Sequence, residues 1–249
     1  GDSLLLRVMR VIGHNRSAGG VNETAGPKPA HHKANPTHKF ASVNHMSTTK
    51  VTPIKSGHVA ANGLNYYYEV HGQGEPLLLL HGGFGSINMF GPVLSHLAAK
   101  RQVIGVDLQG HGRTDLGERA MDMVDMGNDM ATILAELGYN KVDVMGYSLG
   151  SAVAFELAVK HQEQVRRLVL VSACYSTDGV YPEMLRMQDQ LHGGLAEMMK
   201  DTPMYKSYAA VASRPEDFPK LLDRMGGLMK KPFDVGDKIK LLTMPVMLV

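Results

Sequence analysis

The sequence predicts an α/β fold built on a doubly wound, mostly parallel sheet, and three observations carry the prediction. Short apolar runs alternate with helix-period patterns from residue 57 to about residue 173. Pro76–Leu80 is an unbroken apolar run, as expected of a strand covered on both faces. Gly146-Tyr147-Ser148-Leu149-Gly150 lies between a strand pattern and a helix pattern.

The elements follow in order. Residues 58–61 and 64–70 flank Asn62-Gly63 and read as an opening hairpin. After Pro76–Leu80, residues 88–100 read as a helix and 102–108 as a strand. Met123, Met126, Met130, Ile133, Leu134 and Leu137 recur at helical spacing, and Gly138 closes that helix. Residues 141–145 form the next strand, a helix runs on to about His161, and 165–173 is a further strand. Residues 175–234 break the alternation with a methionine-rich stretch punctuated by Gly193-Gly194, Pro203, Pro215 and Pro219. Roughly sixty residues between two strands far exceed an ordinary connection of about 2–6, so the stretch reads as a helical cap. Its methionines, Met184, Met187, Met198, Met199, Met204, Met225 and Met229, suit either core filling or an adaptable pocket lining. A short helix at 237–242 and an apolar run at 244–249 resume the core. The expected organisation is therefore a leader at 1–45, a core at 46–174, the cap at 175–234, and a core that resumes at 235–249 and is cut off within a strand.

Composition bounds the function classes. A chain of 249 residues, 44% hydrophobic and 20% charged, can bury one full core. No apolar run approaches the roughly 18 residues of a membrane span. Cys174 is the single cysteine, which excludes an intrachain disulfide and a Cys-rich zinc site and makes a cytoplasmic location the expectation. The net charge is +2, but residues 1–45 hold six Lys/Arg against two Asp/Glu. The remainder then holds 26 − 6 = 20 basic and 24 − 2 = 22 acidic residues, a balance of −2. That body has no electrostatic footprint for nucleic acid or an anionic membrane. The leader begins without Met and is expected to be disordered, or an extension ahead of a native start at Met46. A transit-peptide-like start and a metal tract of His31, His32 and His38 are its alternatives.

The chemistry centres on Ser148. G-x-S-x-G between strand and helix makes a sharp, strained turn that lifts the serine above the sheet, the nucleophile elbow. Gly146 and Gly150 lack the Cβ atoms that would collide there, Tyr147 precedes the serine, and the helix N-terminus offers the Leu149 N–H to an oxyanion. His81-Gly82-Gly83-Phe84-Gly85 follows a buried strand, and its glycines let the backbone approach closely. The Phe84 N–H is the second expected donor of an oxyanion hole, where each donor is worth about 2.7–4 kcal/mol. No G-x-G-x-x-G follows a strand and no P-loop is present, so dinucleotide and nucleotide cofactors are disfavoured.

With 107–114 (Asp-Leu-Gln-Gly-His-Gly-Arg-Thr), these motifs resemble the α/β-hydrolase superfamily, in its capped, cofactor-free esterase and lactonase-like branch. The resemblance covers residues 57–249 and includes 176–182 at the cap entrance. It implies Ser148 as nucleophile, Phe84 and Leu149 as oxyanion donors, and no metal or cofactor. It further implies an acid after the next-to-last main strand and a histidine after the last. The run 244–249 corresponds to the strand before the acid, so both groups are expected beyond Val249, and the chain as given should be impaired. Within the chain, His111 is an alternative base and Asp178 an alternative acid. His81 is expected to shape its loop, Asp107 to stabilise its own loop, and Cys174 to be a small buried residue. A dehalogenase reading fails because the turn carries Ser rather than Asp and tryptophan is absent.

The expected function is a serine hydrolase of small carboxylic esters or lactones working through an acyl-enzyme. A C–C bond or amide hydrolase of the same fold, or a non-catalytic ligand-binding member, is the alternative. The sequence leaves the oligomeric state open.

Overall fold

Four consecutive leucines, Leu77 to Leu80, leave no polar face to turn toward water, and the strand they build lies inside the sheet. The computed structural model describes residues 51–249, so the expectations for the leader at 1–45 lie outside the described residues. The strands are β1 (Lys55–Ala61), β2 (Leu64–His71), β3 (Pro76–Leu80), β4 (Gln102–Val106), β5 (Val142–Tyr147), β6 (Val165–Val171) and β7 (Val246–Leu248). They form one sheet in the order β1-β2-β4-β3-β5-β6-β7. β1 pairs antiparallel with β2, and β2 antiparallel with β4; β4, β3, β5, β6 and β7 run parallel.

Both faces of the central strands are covered. Leu77, Leu79 and Val103 pack against Phe90, Leu94 and Ala98, which belong to helix α1 (Gly91–Ala98) and the turn before it. The alternate residues Leu78, Leu80, Ile104 and Val106 are fully buried as well. Helix α2 (Met123–Glu136) begins where the Asp122 carboxylate accepts the Val124 N–H at 2.9 Å, and it buries Met126, Met130, Ile133 and Leu134. It packs against α3 (Leu149–Lys160), which lies on β5 and β6.

The structure refines three boundaries. The expected helix at 88–100 opens as a 3-10 turn, Ile87–Phe90, and α1 starts only at Gly91, which takes φ +43°. The strand expected to reach residue 108 ends at Val106, where the Asp107 side chain begins to bind other loops. The strand expected to reach residue 173 ends at Val171, because Ser172 adopts φ +54°.

Between β6 and β7 lie α4 (Pro182–Asp189), α5 (Ala196–Met199), α6 (Pro203–Ala209), α7 (Phe218–Met229) and α8 (Gly236–Ile239). Helix α7 is amphipathic, with Phe218, Leu221, Leu222, Met225 and Leu228 buried on one side. Of the methionines in this segment, Met199 and Met225 are buried and Met198 is exposed. The outgoing and returning chains pair at the base of the insertion. Val235 N–H donates to Tyr175 O and Thr177 N–H to Phe233 O, each at 2.8 Å. The insertion also rests on the loop before α2: Ser213 Oγ–H donates to Asp115 at 2.6 Å, and the Arg224 guanidinium reaches the carbonyls of Glu118 and Arg119.

One buried carboxylate ties the opening hairpin to this scaffold. Asp129 on α2 is fully buried, accepts the Tyr66 hydroxyl and the Asn62 amide (2.8 Å), and pairs with Arg119. Burial and the neighbouring carboxylate hold the Tyr66 hydroxyl in its protonated form well above the usual range. Asp129→Ala strands all three partners, and urea unfolding should show a loss of about 3 kcal/mol. Asp125→Ala, one turn earlier on the same helix, serves as the control for an ordinary helix-surface change.

Candidate active site

The parallel pairing of β3 with β5 sets Leu80 beside Gly146, so the loops leaving both strands emerge together. The chain then reverses between β5 and α3 with almost no room. A Cβ on Gly146 would lie 2.1 Å from Gly150 O, and one on Gly150 would lie 2.4 Å from Leu80 O. Only glycine fits at either position. Ser148, caught between them, adopts φ +50° and ψ −112°, a conformation that L residues rarely take. Its N–H donates to Val171 O at 2.9 Å, which anchors the turn to β6. Its side chain is exposed, and the hydroxyl makes no hydrogen bond among the described residues.

The loop 81–85 touches this turn: a Cβ on Gly82 would meet the Tyr147 ring at 2.8 Å and Ser148 Cβ at 3.5 Å. The N–H groups of Gly83, Phe84 and Leu149 have no acceptor among the described residues. Leu149 is the first residue of α3, so its N–H carries the positive end of the helix dipole. Phe84 has φ +59°, and its ring meets Phe218 of α7 edge-on at 6.1 Å. Met225 and Met229 of α7 point their methyl groups at Gly83, so the insertion reaches the same loop. Reasoning from sequence named Phe84 as a donor but passed over the equally free N–H of Gly83, which the motif alone does not distinguish.

Three buried side chains around the loop, His81, Asp107 and His111, make hydrogen bonds, and one of their polar atoms has no partner among the described residues. His81 is fully buried; its Nδ1–H donates to Gly82 O at 2.8 Å and its Nε2 accepts the Leu108 N–H at 2.9 Å. Burial lowers its pKa, against the pull of the Asp107 charge, and the ring is a neutral strut between two loops. Asp107, also fully buried, accepts the N–H groups of Ile87 (2.7 Å) and Arg113 (3.0 Å) and pairs with the Arg113 guanidinium. His111 donates from Nδ1 to Gln109 O at 2.8 Å, and its buried Nε2 is the atom without a partner. Burial, aided by the nearby His81, lowers its pKa to about 3.

Neither alternative catalytic residue is bonded to Ser148. His111 stacks near His81 and Phe84, and Asp178 is exposed in the loop after β6 with no hydrogen bond or ion pair among the described residues. The other histidines are engaged elsewhere: His58 with Arg113 O, His71 with Glu69, His96 with Pro92 O, His161 with Asn128, and His192 with Gly194 N–H. Cys174, expected to be buried, is exposed instead, because it follows the end of β6 and its Sγ–H turns to Ser176 O. Among the described residues, no cluster of His, Cys, Asp and Glu could hold a metal ion, and no helix is long and apolar enough to cross a membrane.

Comparison with known families decides the lineage. The family model for the alpha/beta hydrolase fold matches residues 75–201, which is half the chain and includes both loops around Ser148. The chain belongs to the α/β-hydrolase fold family. It is 38% identical over 115 residues to RutD of Azorhizobium caulinodans, whose name proposes a carbamate hydrolase; that stretch covers 45% of this chain and 43% of RutD. It is 34% identical over 120 residues to a soluble epoxide hydrolase of Corynebacterium sp., covering 48% of this chain and 42% of that one. The chain thus spans less than half the length of these curated relatives. An esterase from Thermogutta terrifontis shares the fold, with a TM-score of 0.61 and 22% identity over 78% of this chain and 79% of the esterase.

The pKa of His111 has a measurable consequence within this α/β-hydrolase core. Its folded pKa lies below its unfolded value of about 6.5, so below that pH the unfolded chain takes up a proton the folded chain refuses. Stability is fully present above about pH 6.5 and falls as pH drops toward 3, costing roughly 2 kcal/mol by pH 5 at 1.36 kcal/mol per pH unit. Urea midpoints at pH 7 and pH 5 should therefore diverge less in His111→Gln than in the parent.

Proposed function

We propose that this chain carries the nucleophile and oxyanion donors of a serine hydrolase acting on small carboxylic esters or lactones. The observation that carries the reading is Ser148: exposed, unbonded, at φ +50°, on a turn flanked by the free N–H groups of Leu149, Gly83 and Phe84. In this reading Ser148 Oγ attacks the substrate carbonyl. The developing oxyanion is received by the Leu149 N–H and by Phe84 or Gly83. Its collapse breaks the ester C–O bond and releases the alcohol, which takes the proton given up by Ser148, and water then hydrolyses the acyl-serine to the acid and free Ser148. The helical insertion serves as the cap, and the thioethers of Met225 and Met229 present an adaptable apolar surface beside Gly83.

The nucleophile type argues for a carbonyl substrate. An acyl-serine keeps a carbonyl that water can attack, whereas a serine opened onto an epoxide would be left as an ether with no such centre. Esters, lactones and carbamates fit that requirement, and the carbamate in the name of the Azorhizobium relative shares it. Deprotonating Ser148 needs a base; no described histidine is bonded to it, and the unpartnered His111 Nε2 is fully buried. Residues 51–249 therefore account for the nucleophile and the donors alone, which is also the observation that favours a ligand-binding member of the fold as the second reading.

A fluorophosphonate probe separates the two. Labelling should occur on the full chain, be accelerated several-fold by added imidazole acting as an external base, and disappear in Ser148→Ala. Labelling that is equal in the parent and in Ser148→Ala removes the serine from its role. No labelling of the parent even with imidazole supports the binding reading.

A further inference from the structure

We propose that Met89 is a positioning residue for the loop that carries the oxyanion donors, acting through a hydrogen bond from the Gly82 N–H to its thioether sulfur. The proposal rests on the serine-hydrolase reading and adds to it a side chain outside the loop itself.

Local structure brings the sulfur there. Ser86 caps the 3-10 turn Ile87–Phe90: its Oγ accepts the Asn88 N–H at 3.3 Å, and its carbonyl accepts the Met89 N–H at 3.0 Å. That turn folds the Met89 side chain back over residues 82–85. Sδ then accepts the Gly82 N–H at 3.3 Å. A second contact locates the same atom independently: a Cβ on Gly85 would lie only 2.7 Å from Sδ, so the sulfur occupies the hollow of the loop. On the opposite side of the same residue, Gly82 O accepts both the His81 Nδ1–H (2.8 Å) and the Gly85 N–H (3.1 Å). Gly82 is thus fixed at its N–H and at its carbonyl, immediately before the free donors of Gly83 and Phe84.

A thioether is a weak acceptor, yet it is the only one the Gly82 N–H has among the described residues. A leucine in its place would fill the space and leave that N–H unbonded, and the donors downstream would lose one of their fixed points. Met89 is 45% exposed, so its replacement should leave the core intact. Glutamine has similar length and ends in a carbonyl oxygen that can accept the same N–H.

The test measures fluorophosphonate labelling of the full chain in imidazole, resolved into probe affinity and the maximal rate of bond formation. Met89→Leu should slow the maximal rate about tenfold with affinity unchanged, less than the 10²–10³ that follows outright loss of a donor. Met89→Gln should recover most of that rate. Hydrogen exchange should show faster exchange of the Gly82 amide in the leucine variant and near-parent exchange in the glutamine variant. Parent-like labelling by Met89→Leu overturns the role of Met89 alone. Equal slowing in both variants also overturns it, because side-chain shape rather than the acceptor would then matter. Ser148→Ala labelling like the parent overturns the serine reading, and the positioning role with it.

Discussion

The close approach of α3 to the C-terminal ends of β3 and β5 is the constraint on which the rest of this molecule turns. Carbonyl oxygens of Gly150 and Leu80 stand where side chains at Gly146 and Gly150 would begin. With no lateral room, the chain can reverse only by placing one residue in a left-handed conformation, and that residue is Ser148. A non-glycine residue there carries a strain of order 1–2 kcal/mol. Packing of α3 opposes it: Val153, Ala154 and Leu157 are fully buried against the sheet. The same approach leaves the first N–H of the helix, that of Leu149, without an acceptor among the described residues. Strain, exposure and a free donor therefore share one cause.

Around that turn, the protein fixes its loops with buried polar groups. Asp107 is satisfied by backbone N–H groups and Arg113. His81, neutral through burial, can give a proton to one loop and accept one from another at the same time. A protonated imidazole could not accept the Leu108 N–H, so the low pKa and the geometry are two descriptions of one arrangement. Asp129 does similar work at the far end of β2, where it joins hairpin, helix and loop in a single network.

Much of this was legible in the sequence, for identifiable reasons. An apolar run such as Leu77 to Leu80 has one stable destination, and G-x-S-x-G between strand and helix has few geometries open to it. The helices between β6 and β7 fall where residues 175–234 abandon the strand-and-helix rhythm. What stayed hidden depends on contacts between segments distant along the chain, or on a single backbone angle. Arg119 meets Tyr66 and Asp129 across 53 and 10 positions, with no local pattern to announce it. Gly91 read as part of a helix because nothing in its neighbours signals φ +43°. Met89 looked like one more apolar residue on that helix; its sulfur matters only because the 3-10 turn folds it back. The free N–H of Gly83 was invisible for the opposite reason, since glycine-rich loops carry several donors and sequence does not say which are used.

The paired strands at the base of the insertion have an evolutionary consequence. Because Tyr175 and Val235 are hydrogen-bonded neighbours, everything between them begins and ends at one point on the core. A segment anchored that way can be lengthened, shortened or exchanged for another without changing the register of any strand in the sheet. The sheet and the helical segment resting on it can accordingly vary independently, and a foreign helical segment grafted between those two residues would begin and end where the native one does.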